Sequence, residues 1–397
     1  YTIIGLTLPN TPPYNLKTKL SRNEKGYTLA NINGRVGDSA LSGHLNVFTA
    51  NGRPRVEANM LSTSLDFDDL VSVLGAPPSV KKGESASPEQ RAEAARLAAQ
   101  GRILPDARLD LDRVRNMDAH LIFEAKKIKD APLPLRSASL DLTLDHGLMK
   151  MNPVVFSLPR GDVNAFVQID ARSSEPQVNL DAKLSKARIE DFFNTKNVIE
   201  GSLLGRVKLQ GRGVTVRQAA ATSKGSITMV MPRGHIREAF AELAGVNVTK
   251  GLGLLLSGSQ KQADLRCAVG AFDVTNGVAR ERVIVIDTED VLITGSGEVD
   301  LGQEKLDLKL KGHPKEFRLV RVKAPITIGG RWRTPKFGVD ADKAVGQAGI
   351  AGVAGLLNPL VAILPFVDPG LADDADCKAL LSPNPPKRAD NAVRAKG

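Results

Sequence analysis

Apolar and polar residues alternate in short segments over most of the chain. Residues 140–145 and 306–311 place Leu at every second position, with Asp, Thr or Lys between the leucines. Period-two alternation is typical of strands that have one face in an apolar environment and the other in water. Turn-forming pairs such as Asn51-Gly52, His146-Gly147 and Asn276-Gly277 separate these segments. The pattern predicts a mainly β protein built as an antiparallel meander with a few short helices.

Three stretches depart from this pattern. Residues 77–87 are rich in Pro, Lys and Ser and predict a loop or disordered insertion, which leads into a short Ala-rich helix at 88–97. Residues 236–256 place apolar side chains at helical spacing before a Gly-interrupted Leu run. Residues 344–367 carry no charge, but regularly spaced glycines and Pro359 argue against a membrane span. We expect the last stretch to be a helix pair, broken at Pro359, that packs on the end of the sheet.

One pattern of residues occurs twice. Pro54 is followed by Asp69, and Pro176 is followed by Asp191 at the same offset of 15 residues. Each copy comes after a strand that begins with Gly, and similar short Leu-Ser and acidic motifs lie between the Pro and the Asp. Repeated sheet units tend to stack lengthwise and contact mainly their neighbours. The sequence therefore predicts an elongated sheet that uses one β-unit at least twice.

The composition of the 397 residues narrows the function classes. Hydrophobic residues make up 42% and aromatic residues only 4%, so a large aliphatic core is possible. The net charge of +10 favours anionic partners, either nucleic acid, acidic polymers or anionic lipid headgroups. Proteins that bind single-stranded nucleic acid usually add aromatic stacking surfaces. Because such residues are scarce here, we expect no nucleic-acid partner.

The sequence contains no recognisable catalytic or metal-binding constellation. The five histidines are scattered singly, none at a metal-ligand spacing from a cysteine or another histidine. Gly251-Leu252-Gly253 and Gly295-Ser296-Gly297 do not continue as phosphate-binding or dinucleotide-binding fingerprints. We therefore predict no catalytic residue, no metal and no cofactor, and we expect a protein that is not an enzyme.

A basic run near the C-terminal end has two interpretations. It is either the polar face of strands or a patch that meets anionic headgroups or another macromolecular partner. Its candidate residues are Arg318, Arg321, Lys323, Arg331, Arg333 and Lys336.

Two cysteines, Cys267 and Cys377, leave the redox state open. In a reducing compartment we expect two separate buried thiols, whereas in an oxidising compartment we expect the two cysteines to form one disulfide.

A succession of short motifs begins at Leu265. The motifs are LRCAVGAF at 265–272, NGV at 276–278, IDT at 286–288, ITGSGEVDL at 293–301, EKLDL at 304–308, APITIGG at 324–330 and TP at 334–335. In this order they resemble the C-terminal module of the AsmA family of Gram-negative envelope proteins. The apolar segment ending at 364–366 and Cys377 are similar to the tail of the same family. The resemblance covers about residues 135–381. The residues before 135 are included because they contain a copy of the repeated unit that also occurs in the matching part.

The resemblance implies a large periplasmic body on an inner-membrane anchor, and we expect that this anchor precedes the present chain. The family is related to the TamB and YhdP group and to chorein-type lipid bridges. This implies an elongated, curved sheet with an open apolar groove, which binds or conducts phospholipid between membranes and supports outer-membrane biogenesis. The alternative is a structural scaffold that assists outer-membrane protein assembly without binding lipid.

Two sets of site residues follow from the resemblance. An oxidising periplasm implies a disulfide between Cys267 and Cys377. Leu306, Leu308 and Leu310 are candidates to line the groove, with the intervening Asp307 and Lys309 on the opposite face. The same alternation would also suit a closed core in which aliphatic faces pack together.

The expected organisation divides the chain into seven parts. They are a β-repeat unit at 1–76, a loop or disordered insertion with a short helix at 77–101, a β-repeat unit at 102–235, a helical insertion at 236–258, a C-terminal AsmA-like β region at 259–340, a helical cap at 341–381 and a disordered tail at 382–397.

Overall fold

The computed structural model describes residues 14–49, 52–67, 69, 104, 111–131, 133–192, 199–237, 261–316, 325–332, 334–339 and 374–380. Within these residues, nineteen strands form one sheet. The strands are β1 (Tyr14–Asn23), β2 (Gly26–Val36), β3 (Ser39–Phe48), β4 (Arg55–Asp66), β5 (Asp118–Ala125), β6 (Ile128–Lys129), β7 (Ser137–Asp145), β8 (Leu148–Ser157), β9 (Asp162–Asp170), β10 (Gln177–Arg188), β11 (Ile199–Arg212), β12 (Lys224–Met231), β13 (Gly234–Arg237), β14 (Gln262–Thr275), β15 (Val278–Thr288), β16 (Val291–Asp300), β17 (Lys305–Pro314), β18 (Ile326–Arg331) and β19 (Thr334–Val339). The helices are α1 (Leu111–Asn116), α2 (Val216–Ala221), α3 (Cys377–Leu380) and a 3-10 helix (Ile189–Asp191).

Nearly every strand pairs with its neighbour in sequence. Antiparallel pairs join β1 to β4, β7 to β12 and β14 to β19 in order, and β5 pairs with β7. The short β13 lies beside β12, and both pair with β11 and β14. Within the described ranges β1 and β19 each pair on one side only. The predicted mainly β, elongated sheet is therefore confirmed, and the sheet is open.

The expectation of a wholly antiparallel sheet is wrong at one junction. β4 runs parallel to β5, with Met60 opposite Phe123, and its end also runs parallel to the short β6. Parallel neighbours need a crossover of about a dozen residues or more. Residues 67–117, between β4 and β5, supply that length. Alternation within a strand carries no information about the direction of its neighbour.

The predicted repeat has a structural counterpart. The two copies are β4 and β10, each of twelve residues, and each is preceded by a strand that begins at a turn. Asp69 Oδ2 accepts a hydrogen bond of 2.9 Å from the backbone N–H of Asp38 in the turn before β3. Asp191 Oδ1 accepts one of 2.6 Å from Arg160 Nη2 in the turn before β9. In both copies the repeated aspartate fixes the turn at the start of the previous strand.

Buried side chains concentrate at the two ends of the strands and around β14–β16. α1 packs Val114 against Leu144 at one end, and α2 lies beside a cluster around Val274 at the same end. At the other end, Leu65, Ala125 and Ile128 form one cluster. A further cluster there contains Leu158, Ala187, Leu203, Met231 and Leu265. The middle of the sheet between β7 and β11 has no comparable buried cluster among the described residues.

Several predicted elements lie outside the described residues. These are the helix at 88–97, the segment 238–258, the apolar stretch 344–367 and the C-terminal tail. β13 continues to Arg237, so the first two residues of the helical insertion predicted at 236–258 belong to a strand. The remaining predicted boundaries stay predictions. None of the helices in the described part is long and apolar enough to cross a bilayer.

Candidate functional site

One face of the sheet carries an uninterrupted row of apolar side chains. Directly opposed residues on paired strands project to the same face, so the register identifies the members of the row. This central row runs across nine strands and consists of Met60, Phe123, Leu140, Val154, Ala165, Ala182, Val207, Ile227 and Phe272. At about 4.8 Å between strands, nine strands extend for about 38 Å along the sheet.

Side-chain size varies regularly along the central row. Its side chains are large at Met60 and Phe123 and smallest at the opposed pair Ala165 and Ala182 on β9 and β10. They are large again at Phe272. Two neighbouring rows flank this alanine pair, with Val167 opposite Leu180 on one side and Val163 opposite Leu184 on the other. The apolar surface is therefore lowest at β9–β10 and bounded there by larger aliphatic side chains.

A second row extends the apolar face toward the C-terminal strands. It consists of Val163, Leu184, Gly205, Met229, Gly270, Ile284, Gly295, Leu310 and Ile326. Large side chains alternate with glycines along much of it. A methyl group at Gly295 would lie 2.6 Å from Ile284 Cγ2 and 2.9 Å from Leu310 Cδ2, so its neighbours occupy the space above it.

The candidate groove residues take the predicted alternation. Leu306, Leu308 and Leu310 on β17 are half-buried, whereas Asp307 and Lys309 are exposed. The register places Leu310 in the second row, and the other two leucines share its face. Whether these leucines contact lipid remains a prediction.

The central row is accessible rather than buried. All nine of its residues are half-buried, and Leu140, Val154, Ala165, Ala182 and Val207 belong to none of the buried clusters of the described residues. In the second row, Met229 is 51% exposed. A contiguous accessible apolar surface of this length is typical of a binding surface for an apolar ligand or partner.

The opposite face of the same strands is polar and carries ion pairs. Arg206 lies 2.5 Å from Asp181, and Arg280 lies 3.2 Å from Glu298. His120 Nε2 lies 3.0 Å from Asp141 Oδ1 on the same side. The sheet is thus amphipathic, with its charges on one face and its aliphatic rows on the other.

β14–β16 differ from the rest of the sheet because their polar side is also covered. Residues 374–380, here called the cover segment, pack Ala375 and Leu380 on Val269, Val283, Val285 and Leu292. The structure contains the disulfide between Cys267 and Cys377, whose Cα atoms lie 5.9 Å apart. This bond attaches the cover segment to β14.

A buried carboxylate holds the cover segment beside the disulfide. The side chain of Asp287 is fully buried, and its oxygens lie 2.6 Å from Lys315 Nζ and 3.3 Å from Arg266 Nε. The backbone N–H of Ala375 donates to the same carboxylate, and Lys315 also contacts Asp374 at 2.6 Å. Burial raises the pKa of Asp287, and the hydrogen bond and charge of Lys315 oppose this effect. The network joins β14, β15 and the cover segment.

The predicted basic patch is only partly within the described residues. Arg331 and Lys336 are described, and the register places both with the polar face of β17. Arg318, Arg321, Lys323 and Arg333 lie outside them. The headgroup interpretation of this patch therefore remains a prediction.

One grouping of potential metal ligands occurs in the described part of the chain. Asp118, Asp145 and His146 lie close enough together to share an ion, and they are mostly exposed. The Asp118 carboxylate already accepts hydrogen bonds from Arg53 Nε at 2.8 Å and from the His146 backbone at 3.0 Å. We infer that the Asp118 carboxylate holds the start of β5 to the turn after β7.

The pattern of the sequence does not reveal the central row or its alanine pair. Ala165 and Ala182 stand in strands with ordinary alternation, and only the pairing register places them opposite each other. The alternation of residues 162–170 and 177–184 was the available signal, but the correct alignment of two strands requires their turn geometry as well.

Sequence comparisons relate the chain to a known protein family. The family model described as "AsmA family" matches residues 1–284. AsmA family protein YhjG of Escherichia coli (strain K12) is 25% identical over 392 residues, which cover 96% of this chain and 57% of that protein. The chain thus spans a little more than half the length of this relative. No solved structure matches the chain. Because the family model covers more than two thirds of its residues, the chain belongs to the AsmA family.

Proposed function

We propose that this chain is the periplasmic part of an envelope protein that binds phospholipid acyl chains on its apolar face and conducts them along the sheet. The observation that carries the proposal is the central row, an accessible line of apolar side chains across nine strands with no charged member. Binding, and not catalysis, is the proposed activity.

The physical basis is the transfer of acyl chains out of water. Each buried CH₂ group contributes about 0.8 kcal/mol, so a long aliphatic surface can hold a lipid without a specific pocket. Because every member of the row is apolar, a bound acyl chain meets no charged side chain as it passes from one strand to the next. A ligand held in this way can move along the row without crossing a large barrier.

Family membership supports the proposed location. The AsmA family is an envelope family. A disulfide between Cys267 and Cys377 suits the oxidising periplasm. We propose an inner-membrane anchor outside this chain, and support of outer-membrane biogenesis as the role of the complete protein.

A scaffold without lipid binding is the second candidate. It is favoured by β1, whose ten residues are all exposed and which pairs on one side only within the described ranges. An open edge strand can accept a strand from a partner protein. This candidate requires protein contacts alone.

Lipid content after gentle purification separates the two candidates. Native mass spectrometry and lipid extraction should find phospholipid with the unchanged chain, and Leu140→Asp should reduce the amount because it places a charge in the central row. Thr143→Asp on the same strand is the matched control, since Thr143 is exposed and faces the polar side.

The scaffold candidate expects no phospholipid with any of the three proteins. Equal phospholipid content in Leu140→Asp and Thr143→Asp would also contradict the proposal, because lipid would then be bound somewhere other than the central row.

A further inference from the structure

We propose that the apolar face contains a preferred seat for a phosphate-bearing lipid at β9–β10, with its acyl chain over Ala165 and Ala182 and its headgroup on a row of cations at one end of the strands. This inference rests on the proposed function and deepens it by fixing the position and orientation of the lipid.

The alanine pair supplies the acyl site. Ala165 and Ala182 are the smallest residues of the central row and lie directly opposite each other. The larger side chains of Val167 and Leu180 flank the pair on one side, and those of Val163 and Leu184 flank it on the other. An acyl chain placed over the alanines contacts aliphatic side chains on both sides, so it loses more contact with water here than over Phe123 or Phe272.

The cationic margin supplies the headgroup site. It lies at the end of the strands where β5 finishes and β7 starts, and its members are Lys126, Lys127, Lys129, Arg136, Lys186 and Arg233. All six are exposed, and none forms an ion pair with another described residue. Cations in this state are available to phosphate oxygens, which accept charge-assisted hydrogen bonds from Lys and Arg.

Carboxylates at the same margin do not neutralise it. Glu190 and Asp191 are engaged by Arg160 at 3.1 and 2.6 Å, and Glu190 also contacts Arg188. Of the other carboxylates there, Glu124, Asp130, Asp162 and Glu200 form no ion pair with a described residue, and the six cations outnumber these four. The margin therefore keeps an excess of positive charge.

The opposite ends of the strands offer fewer available cations. Arg53 is paired with Asp118 at 2.8 Å, and Arg172 with Asp170 at 2.6 Å. Arg115 donates to the backbone oxygen of Ala171. Among the other cations at these ends, Arg212 and Lys224 are exposed and form no ion pair with a described residue. This difference between the two margins gives the lipid its orientation.

The distance between the two parts fits a lipid that lies along the strands. Lys186 follows Ala182 of the alanine pair by four residues on β10, which is about 13 Å at the rise of an extended strand. A headgroup on the cationic margin thus leaves the first part of its acyl chain at the central row, beside the alanine pair.

The test uses vesicles of phosphatidylglycerol and phosphatidylcholine that contain a phosphatidylglycerol with a photoreactive acyl chain. After irradiation, adducts on the full chain are mapped by peptide mass spectrometry. They should concentrate on β9 and β10 at residues of the central and flanking rows. The combined variant Lys126→Gln, Lys129→Gln and Lys186→Gln should lower the adduct yield by about tenfold or more, since each cation near a membrane lipid contributes roughly fivefold.

The matched control is Lys150→Gln, Lys183→Gln and Lys208→Gln, which removes the same charge from the polar face. The seat is contradicted if the adduct yield falls equally in both variants or in neither variant. It is also contradicted if the adducts spread evenly along the central row. In each of these cases the proposed function stands. Adducts absent from the whole apolar face contradict the proposed function as well.

Discussion

β15 and β10 belong to the same sheet, but their side chains have different surroundings. On β15, Val283, Ile284 and Val285 are successive residues and all are buried, so both faces of the strand are covered. On β10, the apolar residues Leu180, Ala182 and Leu184 are only half-buried. The covered strands have the cover segment on their polar side, and the open strands expose their apolar rows.

The covered strands contribute mainly to the stability of the sheet, whereas the open strands provide the apolar surface for the proposed function. Burial on both faces gives β14–β16 the largest hydrophobic contribution in the sheet, and the disulfide attaches its cover. The open strands leave apolar area in contact with water, which lowers their contribution to stability and keeps that area available to a ligand. The covered region thus supports an adjoining surface that is poorly stabilised by its own packing.

The largest contrast is expected from the same truncation in the two regions. Leu292→Ala removes a side chain that is 2% exposed and should lower the free energy of unfolding by about 2–5 kcal/mol through the cavity that it creates. Leu180→Ala on the open face should cost less than about 1 kcal/mol, because water already reaches its side chain. Chemical denaturation followed by circular dichroism measures both. Equal losses would remove the distinction between the regions.

A slightly smaller effect is expected from the bond that attaches the cover segment. Cys267→Ser with Cys377→Ser opens a loop of 110 residues and should lower stability by about 2–4 kcal/mol. Faster amide exchange should be confined to β14–β16 and spare β7–β11. Reducing agent should reproduce the loss in the unchanged chain and leave the double variant unaffected. Faster exchange spread evenly over the sheet would contradict a local role.

The smallest effect concerns an exposed ion pair at the end of β9. The hydrogen bond from Arg172 lowers the pKa of Asp170 from 3.8 to about 2. The carboxylate therefore adds stability above its unfolded-state pKa, and this contribution is lost as the pH falls through about 2. Asp170→Asn should lower the melting temperature slightly at neutral pH, and the difference should vanish below about pH 2. A difference that persists in stronger acid would assign the effect to something other than ionisation.

The sequence predicted the elements of this comparison better than their arrangement. Alternation at 306–311 predicted the strand and the correct side for Leu306 and Asp307. The equal offset of fifteen residues from Pro to Asp in both copies indicated the repeat. These signals are local, because side-chain period and turn chemistry depend on nearby residues.

What the sequence could not give depends on contacts between distant segments. The parallel pairing of β4 with β5 depends on the path of a long connection. The cationic margin unites Lys126 and Lys186, which are 60 positions apart, and its availability depends on which carboxylates other residues engage. A single sequence does not specify which strands align or in what register.

The pairing of successive strands also bears on how the chain is assembled. Segments that pair with each other leave the ribosome one after another, so most backbone contacts can form in the order of synthesis. Each finished hairpin offers its edge to the next strand, and that edge is open to wrong partners until the next strand arrives. Cys377 comes 110 residues after Cys267, so β14–β16 are covered only late in synthesis. The covered region is thereby completed well after its own strands have been made.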